Sequence, residues 1–148
     1  MGLSIHYNGK IKDVSLIPTL VDELKDICTT MKWNYHLFDN EQARGICFSP
    51  AECEPLYLTF SKGGVLCSPI LLHPDSYRDN IHPATFISVK TQFAGIDAHI
   101  AIVKLLKYLK ANYFEKFELN DEGRYWESDD EDILRRQFKN YQLRFKSF

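Results

Sequence analysis

Ser88-Val89-Lys90-Thr91-Gln92-Phe93-Ala94-Gly95, then Ile96 to Lys110, then Phe114-Glu115-Lys116-Phe117-Glu118-Leu119-Asn120-Asp121 is the stretch on which the fold turns. Alternating apolar and polar residues predict a strand, the glycine releases the chain, an apolar stripe at helical spacing predicts a helix, and alternation then resumes. The same layout occurs earlier, as Ser4-Ile5-His6-Tyr7-Asn8-Gly9, Leu16 to Met31, and Trp33-Asn34-Tyr35-His36-Leu37-Phe38-Asp39. Two strand-helix-strand units predict an α+β domain: a mainly antiparallel sheet of about six to eight strands with both long helices on one face. The echo is read as the mark of an internal strand-helix-strand duplication. The other face of the sheet is left to solvent or to a partner.

In the first helix Leu16, Ile17, Leu20, Val21, Leu24, Ile27, Cys28 and Met31 form the apolar stripe, with Ser15 as the expected cap. Strands are predicted over 33–38, 44–49, 56–60 and 65–70, and Ser61-Lys62-Gly63-Gly64 predicts a hairpin turn between the last two. Residues 72–84, rich in His and Pro, read as a long connector or lid. In the second helix Ile96, Ile100, Val103, Leu105, Leu106 and Leu109 face inward. A hairpin over 114–127 turning through Asp121-Glu122-Gly123 is expected next. Ser128-Asp129-Asp130-Glu131 has the form of a capping box, followed by a short third helix through Ile133, Leu134, Phe138 and Tyr141.

A chain of 148 residues suits one domain. Hydrophobic residues at 45% give it enough apolar surface to offset the entropy of ordering, which excludes a disordered chain. A net charge of −2 argues against nucleic acid, because phosphate binding needs a strong basic patch. No apolar run approaches the roughly 20 residues of a membrane helix. Four cysteines without a C-x-x-C pair, and no secretory leader, point to reduced thiols in a cytoplasmic protein. Charge is segregated late in the chain: seven acids and one arginine over 121–132, then five bases and no acid over 133–148. The two segments are expected to neutralise each other.

Strand alternation supplies the candidate site. With Ile5, Tyr7, Val89, Thr91, Phe93, Phe117 and Leu119 turned to the helices, His6, Asn8, Lys90, Gln92 and Glu118 turn outward, joined by His36 from the next strand. Trp126 and Glu127, read as part of the last hairpin, are further candidates, although Trp126 alternates with Tyr125 and Glu127 and one subset of the three can share that surface. These groups suit a polar ligand, a partner or proton transfer. The competing reading is that an antiparallel sheet ordinarily shows polar residues to water on its uncovered side.

Other constellations are weaker. Asp121, Glu122 and Glu127 with His99 offer metal-ligating atoms, but their spacing fits neither a calcium loop nor a zinc signature, so neither metal nor cofactor is expected. His99, beside the buried stripe, reads as a core histidine bonded to a strand before it reads as a catalytic base. Cys28, Cys47 and Cys67 fall on core positions, and Cys53 lies in a turn between two acids that would raise its pKa. The basic and aromatic residues from Arg135 to Lys146 read as an amphipathic helix rather than an RNA surface.

Met1-Gly2-Leu3-Ser4-Ile5-His6-Tyr7, Val89-Lys90-Thr91-Gln92-Phe93-Ala94-Gly95 and Asp121-Glu122-Gly123-Arg124-Tyr125-Trp126-Glu127 together resemble segments of a family of small bacterial proteins of unknown function. That resemblance implies a compact cytoplasmic bacterial protein and carries no activity with it. Without a catalytic motif, the residues favour a small binding or protein-interaction module of immunity or adaptor type, with a protein partner, over an enzyme. The alternative is a small enzyme or ligand-binding protein that uses the outward sheet face.

Overall fold

The computed structural model describes residues 3–69 and 87–146, so the connector expected over 72–84 lies outside the described residues. Strand β1 (Ser4–Ile11) is followed by a 3-10 turn (Val14–Leu16), helix α1 (Ile17–Met31) and strands β2 (Asn34–Asp39), β3 (Arg44–Ser49) and β4 (Leu56–Phe60). The second part comprises β5 (Ile87–Lys90), α2 (Ile96–Tyr113), β6 (Phe114–Asp121), α3 (Tyr125–Ser128) and α4 (Glu131–Lys146). The α+β class expected from the periodicities is what the chain adopts.

The strands form two three-stranded antiparallel sheets, β5-β1-β6 and β2-β3-β4, rather than one continuous sheet. Of the segment read as a strand over 65–70, the described residues 65–69 form a two-residue splice, Val65 against Lys10 and Leu66 against Phe60. Leu66 N–H donates to Gly9 O and Ile11 N–H to Gly64 O, both at 2.9 Å, so this splice holds β1 to the second sheet. Gly64, at φ 86, makes the turn that the sequence predicts there.

The two strand-helix-strand units are put to different uses. β5 and β6 both run antiparallel to β1 and flank it, so β5-α2-β6 straddles the central strand. β1-α1-β2 instead crosses from one sheet to the other. At Gly9 the neighbouring strand comes so close that an added Cβ would lie 2.6 Å from Lys116 O.

One main hydrophobic core joins the two sheets and the long helices, with Ala43 and Cys67 in a small separate cluster. Ile5 and Tyr7 of β1, Val89 of β5, Phe48 of β3, Leu20 and Leu24 of α1, Val103 and Leu106 of α2, and Leu134 of α4 belong to the same buried cluster. Both long helices therefore cover the inward faces. Glu23 of α1 accepts hydrogen bonds from the hydroxyls of Tyr108 and Tyr113 on α2, which locks the two helices side by side. Met31 is the one member of the predicted α1 stripe left exposed, at 52%.

Several local expectations need correction. Asp13, not Ser15, caps the first helical segment: its carboxylate accepts from Ser15 N–H at 2.9 Å. α1 ends on Lys32 in the left-handed conformation (φ 58), with Trp33 N–H returning to Cys28 O in a six-residue closure. The expected capping box on Ser128 is replaced by a cap on Asp130, whose side chain accepts from Asp132 N–H and whose carbonyl accepts from Leu134 N–H. The C-terminal helix has 16 residues and is as long as α1, not short. Among the described residues the acidic stretch meets the basic one through Glu131 and Arg135 at 3.9 Å, while Asp129 pairs with Lys107 of α2 at 2.5 Å.

Candidate functional site

Pairing register places the side chains of the first sheet in transverse rows. Ser88, His6 and Asn120 stand abreast across β5, β1 and β6; Asn8 faces Glu118 in the next row, and Lys10 faces Lys116 in the row beyond. All alternate with the buried Ile5, Tyr7, Val89 and Phe117 and the partly buried Leu119, so they project from the face opposite the core. A groove of about 360 Å³ runs along this face, lined by His6, Asn8, Ser88, Glu118 and Asn120, with parts of Tyr7, Ile87 and Leu119 beneath.

His6 is fixed by two contacts. Its Nδ1 lies 2.6 Å from Ser88 Oγ and its Nε2 3.0 Å from Glu122 Oε2. Glu122 is held in turn: its N–H donates to Ser4 O at 3.1 Å, and the Tyr141 hydroxyl donates to Oε1 at 3.3 Å. A carboxylate can only accept, so the proton belongs on His6 Nε2 and the lone pair of Nδ1 turns to Ser88.

On the inward side the adjacent residue, Asp121, makes a second histidine chain. His99 Nε2 lies 2.8 Å from Asp121 Oδ1 and His99 Nδ1 lies 2.7 Å from Thr91 Oγ1, with the His99 and Asp121 side chains wholly buried. Asp121 also accepts from the N–H groups of Gly123, Tyr125 and Trp126 at 2.7 to 3.0 Å. Burial alone would raise its pKa, but the hydrogen bond and charge of His99 and these amides outweigh it and hold the carboxyl below its ordinary range. With the Phe138 ring edge-on to His99 and no opening to solvent, this chain clamps β5, α2, β6 and α3 together. It is a core histidine, as the simpler reading of the sequence has it.

The Asp121 clamp also decides where two expected site residues go. By capping three amides it starts α3 in place of the expected hairpin. Trp126 consequently packs on the inward-facing Phe117 at 5.8 Å, beneath the ammonium groups of Lys107 and Lys110, on the side of the sheet away from His6. Glu127 is exposed in a separate cleft with Arg124, Ser128 and Arg136.

Of the residues read from alternation, the structure thus brings His6, Asn8 and Glu118 into one groove. Lys90 shares their face one row away, opposite Ser4, and its backbone N–H donates to the Glu54 carboxylate at 3.2 Å. Gln92 lies beyond the end of β5, where the chain turns through the Ala94 N–H to Thr91 O bond, and its amide oxygen is buried without a hydrogen-bond partner. His36 belongs to β2 of the other sheet, opposite Cys47 and edge-on to Phe38 at 4.9 Å. Ser88 and Asn120 share the parity of Lys90 and Glu118, so alternation contained them; Glu122 and Tyr141 arrive through tertiary contact alone.

Among the described residues no group of three or more His, Cys, Asp or Glu side chains converges as a metal site. Asp121 with His99 faces the core, Glu122 meets His6 and Glu127 lies in the outer cleft. The four cysteines are free thiols, and Cys53, in the turn between two acids, is half-buried with its thiol donating to Lys90 O at 3.7 Å. No described helix is long and apolar enough to cross a membrane. No protein family, curated protein or solved structure matches this chain, so the kinship expected with small bacterial proteins rests on the sequence segments alone.

Proposed function

We propose that this chain is a cytoplasmic bacterial binding module, of adaptor or immunity type, that recognises a polar segment of a partner protein through the outward face of its β5-β1-β6 sheet. The observation that carries the reading is the like-charged pair Lys10 and Lys116, directly opposite each other one row beyond Asn8 and Glu118 on the same face. Like charges abreast on adjacent strands weaken a sheet, and among the described residues the ion pair that offsets them is Glu115 with Lys10 at 3.9 Å. An acidic group of a partner placed there would relieve the repulsion, while Glu118 and the Asn8 and Asn120 carboxamides accept and donate hydrogen bonds in the neighbouring rows. The central strand has its backbone committed to ladders on both sides, so recognition falls to side chains.

The test is site-specific photocrosslinking in the native cell. A photoreactive residue at Asn8 or Glu118 is expected to capture the same partner, one placed at Lys104 on exposed α2 to capture none, and Lys10→Glu with Lys116→Glu to abolish capture. Equal capture from Lys104, or capture indifferent to the double reversal, refutes the reading.

A further inference from the structure

We propose that Ser88, His6 and Glu122 form a nucleophilic acyl-transfer site that hydrolyses small carboxylic esters, an activity beyond partner recognition. The sequence offers no motif for it; the constellation exists because register sets Ser88 beside His6 and the turn after β6 brings Glu122 to the far ring nitrogen. A hydroxyl within hydrogen-bond reach of a base, itself oriented by a third group, is the general signature of an activated nucleophile and recurs on unrelated folds. Here the two ring nitrogens exchange their usual roles: Nδ1 takes the serine proton and Nε2 faces the acid. Only the order nucleophile, base, carboxylate matters to the chemistry.

Each part has a physical assignment. Glu122, anchored by Ser4 O and Tyr141, keeps the imidazole in the tautomer with its lone pair toward Ser88 Oγ, 2.6 Å away. The groove, about 360 Å³ and open to solvent, admits a small acyl group and its alcohol. Asn8 is one row along from His6 and diagonal to Ser88, the side-chain amide placed to meet a developing oxyanion.

In the reaction Ser88 Oγ bonds to the ester carbonyl carbon as its proton passes to His6 Nδ1. The tetrahedral adduct collapses, the C–O bond to the alcohol breaks, and the leaving oxygen takes the proton from His6. Water then adds to the acyl-serine with the same proton transfer and releases the carboxylic acid, restoring Ser88. No oxidant or cofactor is consumed.

The purified full-length chain is treated with a fluorophosphonate probe and the labelled residue identified by peptide mass spectrometry, alongside hydrolysis of p-nitrophenyl acetate. Stoichiometric labelling at Ser88 is expected, lost in Ser88→Ala and slowed at least about tenfold in His6→Gln and in Glu122→Gln. Circular dichroism and melting of each variant show that its fold is retained. Absence of label on Ser88 in the folded wild type, or labelling unchanged by His6→Gln, overturns the proposal. The assay contains no partner, so its failure leaves the binding reading standing, just as failed crosslinking would leave a labelled Ser88 standing.

Discussion

Asp121 and Glu122 are neighbours in the chain, yet their carboxylates serve histidines on opposite sides of one sheet, Asp121 the buried His99 and Glu122 the groove residue His6. The first pair lies wholly buried; the second orients a histidine on the outward face. Because the two acids share one turn, damage to the inner clamp is expected to disturb the outer relay as well.

Asp121→Ala is expected to destabilise the protein by about 3 to 5 kcal/mol at pH 7, since it strands a buried histidine and frees three capped amides. The carboxyl has a lowered pKa in the folded state, so its contribution is present above the unfolded value near 4 and is lost as pH falls through the folded value. Urea unfolding at pH 7 and at pH 3 checks both points: the gap between wild type and variant should narrow in acid.

Tyr7→Phe is expected to cost about 2 to 4 kcal/mol, although it removes one oxygen. The Tyr7 hydroxyl donates to Tyr57 O and accepts from Tyr57 N–H, each at 3.0 Å, satisfying a part of β4 that, among the described residues, has no strand beyond it. Removing it leaves a donor and an acceptor of the backbone unpaired in the interior. Chemical denaturation measures the loss, and a change below about 1 kcal/mol would contradict it.

Tyr113 should titrate late. Its hydrogen bond to Glu23, helped by burial and by the carboxylate charge, pushes its pKa up to about 12, and the same carboxylate raises that of Tyr108. A raised tyrosine pKa contributes stability that is complete below the unfolded value near 10 and is lost as pH rises through the folded one. In Glu23→Gln the phenolate absorbance at 295 nm is expected to appear at lower pH than in wild type.

Gly45→Ala is expected to destabilise by about 3 kcal/mol or more, or to prevent folding. Gly45 sits at φ 145, and a Cβ there would stand 2.1 Å from Leu58 O, a backbone atom that cannot swing aside. Thermal melting decides it.

The thiols should be inert in the native protein. Burial pushes Cys28, Cys53 and Cys67 up to about 11 and raises Cys47 as well, so little thiolate exists at neutral pH. Iodoacetamide at pH 7.5 is expected to modify these cysteines only after denaturant is added; rapid native labelling at Cys53 would show its turn to be open.

Periodicity was enough to read the α+β class, the two long helices, the face that β1, β5 and β6 turn outward, and hence His6, Asn8 and Glu118, because alternation is a local property of the backbone. It was also enough to expect His99 in the core. It could not place Trp126 and Glu127: a strand and a capped helical turn compete over 121–127, and the winner depends on a carboxylate whose charge is held by a histidine 22 residues earlier. Nor could it divide one sheet into two, since the splice at Val65 and Leu66 is made only when they meet Lys10 and Phe60, residues far apart in the chain. Side-chain parity travels with the local chain, whereas the meeting of Glu122 with His6, 116 residues apart, is made only when β6 pairs with β1. The outward face was therefore written in the sequence; the relay upon it came from strand register and the turn that follows β6.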